Sequence, residues 1–272
     1  MGIVNVTPDS FSDGGRFYSV QAAVAQARRL VRDGADIIDI GGESTRPFAQ
    51  AVTAEQEIGR VLPVIESLAD TIPVPISIDT TKAEVAEAAV AAGASIINDV
   101  SALRMDPAIA EVAAKHDLPV ILMHMQGEPR TMQLNPSYDD VVAEVADFLE
   151  EAMQRAIADG IDPLKIVIDP GIGFGKTRDH NLQLINCLER LGRLNAPILV
   201  GPSRKAFIRK LLAEPLGHEP KADDPEVETG TQAAVAAAVM HGAHILRVHN
   251  VANSRAMLSV LDAIRNAAAE ER

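Results

Sequence analysis

The sequence has few aromatic residues and almost no cysteine. Of its 272 residues none is tryptophan, two are tyrosine, six are phenylalanine and one is cysteine. A single cysteine excludes an internal disulfide framework and is typical of a reducing cytoplasm, where we expect this protein. Cys187 lies at helical spacing in the segment LQLINCLERL, which predicts a packing role. No apolar run is long enough to cross a bilayer, so we expect no membrane partner.

Positive charge is also scarce. Lys and Arg number 25 against 38 Asp and Glu, which gives a formal net charge of −13. Such a surface repels nucleic acid, and the few aromatic rings offer little for bases to stack on, so we expect no nucleic-acid partner. An anionic substrate would need a local basic cluster set against this general negative field.

Standard phosphate-binding motifs are absent from the most glycine-rich loop, DPGIGFGK, at residues 169–176. The Walker pattern fails because Pro170 stands where its first glycine should be. The dinucleotide pattern fails because Lys176 stands where its last glycine should be. What remains is a strand that ends in Asp169, followed by glycines that allow close backbone approach.

Two other catalytic classes lack support. The zinc hydrolases built on a (β/α)₈ barrel need two histidines one residue apart after the first strand, and that strand has the sequence IVNV. A Ser-His-Asp nucleophile is not indicated either, because no G-x-S-x-G segment is present.

What the sequence does contain is a regular alternation of short Val- and Ile-rich runs with longer Ala-rich amphipathic stretches. The predicted strands are GIVNV (2–6), DIIDI (36–40), PISID (75–79), SIIND (95–99), PVILMHM (119–125), KIVIDP (165–170), PILVGPS (197–203) and HILRVHN (244–250). Their mostly apolar composition indicates strands covered on both faces, as in a parallel sheet. Eight such units predict an α/β fold, a single (β/α)₈ TIM barrel. An open doubly wound sheet is the alternative.

A weak internal repeat favours the barrel. The segments GADIID, GASIIN and GAHILR, which begin at residues 34, 93 and 242, share one plan. In each, a helix would end on glycine, where a left-handed conformation has the least steric cost, and a strand would follow. The sixth position holds a polar residue each time, Asp39, Asn98 or Arg247.

Polar residues recur where the predicted strands end. They are Asn5, Asp39, Asp79, Asn98, His124, Asp169, Ser203, Arg247 and His249. In a barrel all these ends meet on one face, where active sites lie, so together they predict a site. Two long segments leave the same face, residues 7–15 after the first strand and 41–53 after the second. They are either ordinary connectors or, as we favour, mobile active-site loops.

The residue types at these positions suggest a chemistry. Carboxylates and amides such as Asp79, Asp169 and Asn98 suit a flat heterocycle with several hydrogen-bonding groups, and a carboxylate can stabilise positive charge on it. Arg247 and His249, with Asn5 opposite, suit an anionic group such as a pyrophosphate with its Mg²⁺. A second substrate would suit the loop that carries Thr45 and Arg46. His124 either supports the site from behind or belongs to it.

Eight segments in register resemble the dihydropteroate synthase family. They are GIVNVTPDSFSDGG, DIIDIGGESTRP, PISIDT, IINDVSA, MHMQGEPRTMQ, DPGIGFGK, GPSRKAFI and RVHNV, and they run from Met1 to about residue 262. The resemblance implies a transferase of folate biosynthesis. Such an enzyme joins 6-hydroxymethyl-7,8-dihydropterin pyrophosphate to p-aminobenzoate, giving 7,8-dihydropteroate and pyrophosphate. It works dissociatively, so the pterin C–O bond breaks before the arylamine attacks.

The resemblance also implies roles for individual residues. Asp79, Asn98, Asp169 and Lys205 would be catalytic and hold the pterin, with Met123 and Phe174 against its ring. Asn5 would hold Mg²⁺, the implied cofactor, and with Arg247 and His249 the pyrophosphate. Phe11, Thr45, Arg46, Pro47, Ser203 and Lys205 would contact p-aminobenzoate.

Further expectations follow from the resemblance. We expect one pterin-binding domain over residues 1–272, a homodimer, and inhibition by sulfonamides, since SFSDGG and STRP have the family's ordinary form. The chain starts almost on its first strand, so the segment that family members usually carry before it is expected to be short or missing. Two alternatives stay open: a pterin-binding methyltransferase of the same superfamily, and a barrel that binds pterins without catalysis.

Overall fold

The computed structural model describes residues 1–7, 15–44, 51–128 and 131–267, with the backbone alone for residues 15–19. In these residues strands alternate with helices along the chain. The strands are β1 (Gly2–Asn5), β2 (Ile38–Gly41), β3 (Ile76–Asp79), β4 (Ile96–Asp99), β5 (Val120–Met123), β6 (Ile166–Asp169), β7 (Leu199–Val200) and β8 (Ile245–Leu246). The helices are α1 (Gly15–Arg32), α2 (Ala54–Leu68), α3 (Ala83–Ala91), α4 (Ala108–His116), α5 (Val141–Ala158), α6 (Arg178–Asn186), α7 (Ala206–Leu216), α8 (Pro225–Met240) and α9 (Val251–Asn266).

The strands form a parallel (β/α)₈ barrel, as the sequence predicts. β1 to β6 pair in chain order in one six-stranded sheet, and β7 pairs with β8. Single parallel bridges join the two sheets, Ile168 with Ile198 on one side and Gly2 with Val248 on the other. At the second join the Ile3 N–H donates to the Val248 carbonyl at 3.1 Å, so the ring of strands closes.

The last two strands are shorter than predicted. The sequence predicts strands over residues 197–203 and 244–250, whereas β7 and β8 hold two residues each. The ladder shrinks to single bridges where these strands meet β6 and β1, and the chain leaves the strand direction early. Beyond β8 single backbone bonds continue the contact, from the Arg247 N–H to the Val200 carbonyl and from the Val248 N–H to the Met1 carbonyl, both at 3.0 Å.

Helix ends follow local rules that the sequence carries. The three repeat glycines, Gly34, Gly93 and Gly242, all have positive φ, between 96° and 115°, just after a helix. This is the backbone that glycine adopts most easily. At the start of α2 the Thr53 side chain accepts from the Gln56 N–H at 3.2 Å, and the Gln56 side chain bonds back to Thr53.

The core has two layers because side chains alternate along each strand. One set of strand residues, such as Ile38, Ile40 and Ile78, points outward and is fully buried under the helices. The other set points into the barrel and forms a separate cluster with Met1: Ile37, Ile96, Ile121, Val167, Leu199 and Ile245. Cys187 packs against the outer layer at the end of α6, as predicted. Among the described helices none is long and apolar enough to cross a membrane.

Candidate active site

The site lies one step above the apolar interior of the barrel. On five strands an apolar residue points into the barrel, and the residue two positions later, on the same face, carries a functional group. The pairs are Ile37 and Asp39, Ile96 and Asn98, Ile121 and Met123, Val167 and Asp169, and Ile245 and Arg247. The period of two along a strand places these side chains on the same inner face. An apolar floor thus carries a ring of functional groups, polar at each of these positions except Met123, at the carboxyl ends of the strands, the functional face of this fold.

Arg247 joins the two sheets through this ring. Its guanidinium donates to Asp39 at 2.6 Å through Nε and to Asp79 at 2.6 Å through a terminal nitrogen. Asn98 adds a weaker bond, with its amide nitrogen 3.3 Å from an Asp39 oxygen. Asp39 is fully buried, so its charge depends on these donors.

Burial and pairing act against each other on these groups. Burial raises the pKa of Asp79 to about 7, although the Arg247 guanidinium beside it works in the opposite direction. Burial also disfavours the charge of Arg247, but Asp39 and Asp79 outweigh it and raise the pKa of that guanidinium above its ordinary value. The site therefore holds a permanent cation next to a carboxyl that titrates near neutral pH.

Asp169 begins the glycine-rich loop and is fixed by it. Its carboxylate accepts from the Gly171 N–H at 2.7 Å, and only 6% of the residue is exposed. Burial raises the pKa of Asp169, while Lys205 and the Gly171 N–H oppose that rise. Gly171 has a φ of +69°, and a Cβ there would lie 1.8 Å from the His124 carbonyl oxygen. The glycine thus lets the loop pack directly on the end of β5.

Lys205 and Phe174 form one wall of the site. The Lys205 ammonium lies 4.2 Å from the centre of the Phe174 ring and donates to the Ile172 carbonyl. Burial lowers the pKa of Lys205 to about 7, against the attraction of Asp169. Arg204, just before it, has a φ of +60°, a conformation that non-glycine residues rarely adopt, and this turn precedes α7. Phe174 packs on a cluster that includes Met123 and Met132.

Ser203 and His249 meet on the β7–β8 side. The Ser203 hydroxyl lies 2.9 Å from His249 Nδ1 and accepts from the His249 N–H at 3.2 Å. Asn5 ends β1, where it pairs in register with Gly41, and Gly41 pairs with Asp79. The structure therefore places Asn5 two strands from Asp79, at the same end of the barrel.

A charged cluster joins the described ends of the segment between β2 and α2. Lys82 Nζ lies 2.5 Å from Glu43 and 2.7 Å from Glu57, and the other Glu43 oxygen accepts from the Val52 N–H at 3.0 Å. Glu57 is fully buried. Phe11, Thr45, Arg46 and Pro47, which the resemblance assigns to p-aminobenzoate, lie outside the described residues.

Comparison with known proteins places this site in a family. Residues 1–249 match the family described as pterin binding enzymes. The dihydropteroate synthase of Synechocystis sp. is 47% identical over 264 residues, which cover 97% of this chain and 89% of that protein. The chain belongs to the pterin binding enzyme family, among its dihydropteroate synthases.

Solved structures of the family agree with the fold. Dihydropteroate synthase from Xanthomonas albilineans with 4-aminobenzoic acid has a TM-score of 0.88 and 48% identity, covering 98% of this chain and 93% of that chain. The same enzyme in complex with 7,8-dihydropteroate has a TM-score of 0.86 and 47% identity, covering 98% and 94%. The Yersinia pestis enzyme in a sulfonamide drug complex has a TM-score of 0.89 and 43% identity, covering 98% and 94%.

Two residues that the structure places in or directly behind the site have no role predicted from the sequence. Asp39 sits among the strand-end residues of the sequence but received no role, although it anchors Arg247 and Asn98. Its signal is the sixth position of GADIID, matched by Asn98 and Arg247 in the related segments. Lys176 looks like a surface lysine after a glycine loop, yet only 3% of it is exposed, and it bonds His124. His124 thus lies behind the site.

Proposed function

We propose that this chain condenses 6-hydroxymethyl-7,8-dihydropterin pyrophosphate with p-aminobenzoate to give 7,8-dihydropteroate and pyrophosphate. The observation that carries the proposal is the ring of Asp79, Asn98, Asp169 and Arg247 above an apolar floor, walled by Phe174 and Lys205. The relatives carry the name of this activity and supply the substrate identities.

In this proposal the pterin lies against Phe174 and Met123 with its polar edge toward the ring of functional groups. Asp169 and Asp79 accept from the ring N–H and amino groups, while Asn98 can both donate and accept. Lys205 donates to a ring acceptor from the side of α7. A heterocycle with several donors and acceptors then leaves few of these buried groups without a partner, which is the main source of specificity in a dry site.

The proposed reaction is dissociative. The bond between the pterin methylene carbon and the bridging oxygen breaks first, and pyrophosphate leaves with the electron pair. Positive charge then spreads over the methylene and the ring, where the carboxylates of Asp79 and Asp169 stabilise it electrostatically. The p-aminobenzoate nitrogen attacks the methylene carbon, forms the C–N bond and loses a proton.

Pyrophosphate would be held by the cationic side of the site. Arg247 offers charged donors, with 21% of its side chain exposed at the mouth, and His249 lies beside it on the same strand end. Among the described residues no group of three His, Cys, Asp or Glu could hold a metal alone. That fits Mg²⁺ that arrives with the substrate, since this ion keeps waters and phosphate oxygens as ligands. Asn5 would add one amide oxygen, and the bound ion would neutralise charge on the departing pyrophosphate.

The p-aminobenzoate site would be shared between described residues and the two loops. Ser203 and Lys205 lie at the start of α7, on the side away from Asp39 and Asn98, where they can meet its carboxylate. We assign Phe11, Thr45, Arg46 and Pro47 to this substrate on the resemblance alone. Relatives bind 4-aminobenzoic acid and a sulfonamide, so we propose that sulfonamides compete with p-aminobenzoate here.

We further infer a single pterin-binding domain over residues 1–272, a cytoplasmic location and a homodimer. An apolar groove of about 610 Å³ between α6, α7 and α8 supports pairing. Leu182 and Leu211 line it and are 38% and 39% exposed, so a second copy would bury apolar surface there.

The test is a pyrophosphate-release assay with the dihydropterin pyrophosphate and Mg²⁺, with and without p-aminobenzoate. We expect release that depends on both substrates, formation of dihydropteroate, and a sulfonamide that raises the KM for p-aminobenzoate. Pterin binding without product would contradict the enzyme proposal in favour of a binding-only barrel. Turnover unaffected by millimolar sulfonamide would overturn the inhibition proposal.

A further inference from the structure

A buried lysine lies directly behind the glycine-rich loop and has no place in the mechanism above. Lys176 is 3% exposed, and its Nζ donates to the Phe174 carbonyl at 2.9 Å. The same nitrogen lies 2.8 Å from Nδ1 of His124, which is itself 5% exposed. Among the described residues no carboxylate lies within ion-pair distance of Lys176. Burial lowers the pKa of Lys176 well below its ordinary value, while Asp169 opposes that shift. Burying a basic group whose hydrogen-bond partners are neutral is costly, so its presence calls for a reason.

One partner of Lys176 belongs to the wall of the pterin pocket, and the other supports that wall from behind. Phe174 carries the ring that faces the Lys205 ammonium. The His124 backbone N–H donates to the Asp169 carbonyl at 2.9 Å, and the His124 carbonyl is the surface on which Gly171 packs. Lys176 therefore connects the end of the glycine-rich loop to His124, just after β5. His124 in turn bonds to Asp169, the residue that begins the loop.

The surroundings fix the proton positions in this contact. His124 packs edge-on against Phe148 at 4.8 Å and lies 6.0 Å from the Tyr138 ring. Burial, followed by the nearby Lys176 and Arg104, lowers the pKa of His124 to about 2, so the imidazole is neutral. With its proton on Nε2 the imidazole accepts at Nδ1, and Lys176 donates to both partners.

We propose that Lys176, with His124 as its acceptor, is a positioning residue for pterin binding that holds Phe174 and Asp169 in place. The inference rests on the proposed pterin pocket. It assigns no contact between Lys176 and substrate: the lysine acts by fixing the loop, Gly171–Gly175, against β5. The two substrates share Lys205, which touches this loop at Phe174 and Ile172. The other residues assigned to p-aminobenzoate belong to other segments of the chain, so the effect should fall mainly on the pterin.

The test uses four variants and three constants, the KM for each substrate and the Kd for the pterin pyrophosphate. Lys176→Met removes the donor, and His124→Leu removes the acceptor. His124→Asn keeps an oxygen near the Nδ1 position and is the conservative rescue. Lys165→Met is the matched control, a lysine at the opposite end of β6 that pairs with Asp117 at 2.6 Å. KM is measured for each substrate, and the Kd for the pterin pyrophosphate by pterin fluorescence, which no tryptophan in this chain obscures.

We expect Lys176→Met and His124→Leu to raise the pterin KM and Kd by about tenfold to a hundredfold, since each leaves buried polar groups without a partner. The KM for p-aminobenzoate should stay within twofold. His124→Asn should recover most of the pterin affinity, and Lys165→Met should match the wild type.

Other outcomes would overturn the proposal. A folded Lys176→Met with wild-type pterin Kd would do so, as would an equal rise in both KM values, which would indicate general loosening. If Lys176→Met does not fold, the histidine pair decides: equal pterin Kd for His124→Leu and His124→Asn would contradict the positioning role. A wild type that binds pterin pyrophosphate but forms no product would defeat the proposed reaction and leave this binding test intact.

Discussion

The six strands of the main sheet supply acids and amides to the site, whereas basic side chains follow the two strands that close it. β1 to β6 have four residues each and carry the amide and acid groups Asn5, Asp39, Asp79, Asn98 and Asp169. β7 and β8 have two residues each, and Lys205, Arg247 and His249 follow them. The acids thus stand on a ladder of four-residue strands. Lys205, Arg247 and His249 instead follow two-residue strands, where single backbone bonds, such as that from the Arg247 N–H to the Val200 carbonyl, add to the side-chain bonds.

This difference shows how the barrel assigns its two tasks. Reading a rigid heterocycle needs acceptors at fixed positions, and a long ladder provides them. Gripping a flexible pyrophosphate needs charge more than exact placement, and residues beyond short strands suffice. Arg247 is the link, because it bonds to acids on β2 and β3 from the strand that closes the ring.

The largest loss of stability should come from a change in the backbone after β6, in the loop that Asp169 begins. Gly171→Ala would put a methyl group 1.8 Å from the His124 carbonyl at a φ of +69°. We expect a loss of up to about 6 kcal/mol in the free energy of unfolding, from strain and overpacking together, with loss of pterin binding. Gly59→Ala, in the exposed middle of α2 with open space around it, should instead stabilise by about 0.5–1 kcal/mol. Urea unfolding measures both, and equal values would contradict the packing argument.

The second largest loss of stability should come from removing Arg247, which bonds to Asp39 and Asp79 on the main sheet. Arg247→Met leaves the fully buried Asp39 without its main partner, and we expect it to destabilise the fold by about 3–5 kcal/mol. Arg255→Met is the control, because Arg255 pairs with the exposed Asp36 on the surface and should cost at most about 1 kcal/mol. Adding Asp39→Asn to Arg247→Met should recover part of the loss. An Arg247→Met protein as stable as Arg255→Met would show that the bonds of Arg247 to Asp39 and Asp79 do not contribute to stability.

The effect that is smallest per unit of change is a pH dependence of stability, with opposite signs for Asp79 and Lys205. The pKa of Asp79 is about 7 in the folded protein and near 3.8 when unfolded. The folded state therefore binds the proton more tightly, and Asp79 makes stability fall as the pH rises from about 4 to about 7. The slope is at most about 1.4 kcal/mol per pH unit.

Lys205 acts in the opposite sense above that window. Its pKa is about 7 folded against 10.5 ordinarily, so its contribution to stability rises as the pH increases from about 7 to 10.5. Urea midpoints should be measured across pH. Asp79→Asn should lose the fall in stability between about pH 4 and 7, and Lys205→Met should lose the rise between about pH 7 and 10.5. If Asp79→Asn showed the same fall in stability between about pH 4 and 7 as the wild type, Arg247 would be keeping the Asp79 carboxyl ionised over that range.

The sequence predicts the acid side of the molecule better than the cation side. The first six strands carry continuous apolar runs, and their predicted positions agree with the structure to within one or two residues at most ends. The strands predicted over residues 197–203 and 244–250 run past the ends of β7 and β8, because apolar composition does not reveal where a ladder thins to single bridges.

Side-chain partners were hidden for a different reason. In strands covered on both faces, Ile37 and Ile38 look alike in sequence although one points into the barrel and the other outward. The inward register of Asp39, and with it the bond to Arg247, is settled only by three-dimensional pairing. Lys176 was hidden because nothing local marks a lysine as buried, and its partner His124 lies 52 residues away.

The most direct test of the two-sided site compares two ligands, 6-hydroxymethyl-7,8-dihydropterin and its pyrophosphate ester, by calorimetry with Mg²⁺ present. Asp169→Asn should weaken both by about a hundredfold, because the acid side reads the shared ring. His249→Ala should weaken only the ester, by about tenfold, and leave the alcohol within twofold. An Asp169→Asn protein with wild-type affinity for either ligand, or a His249→Ala protein that loses both alike, would contradict the account.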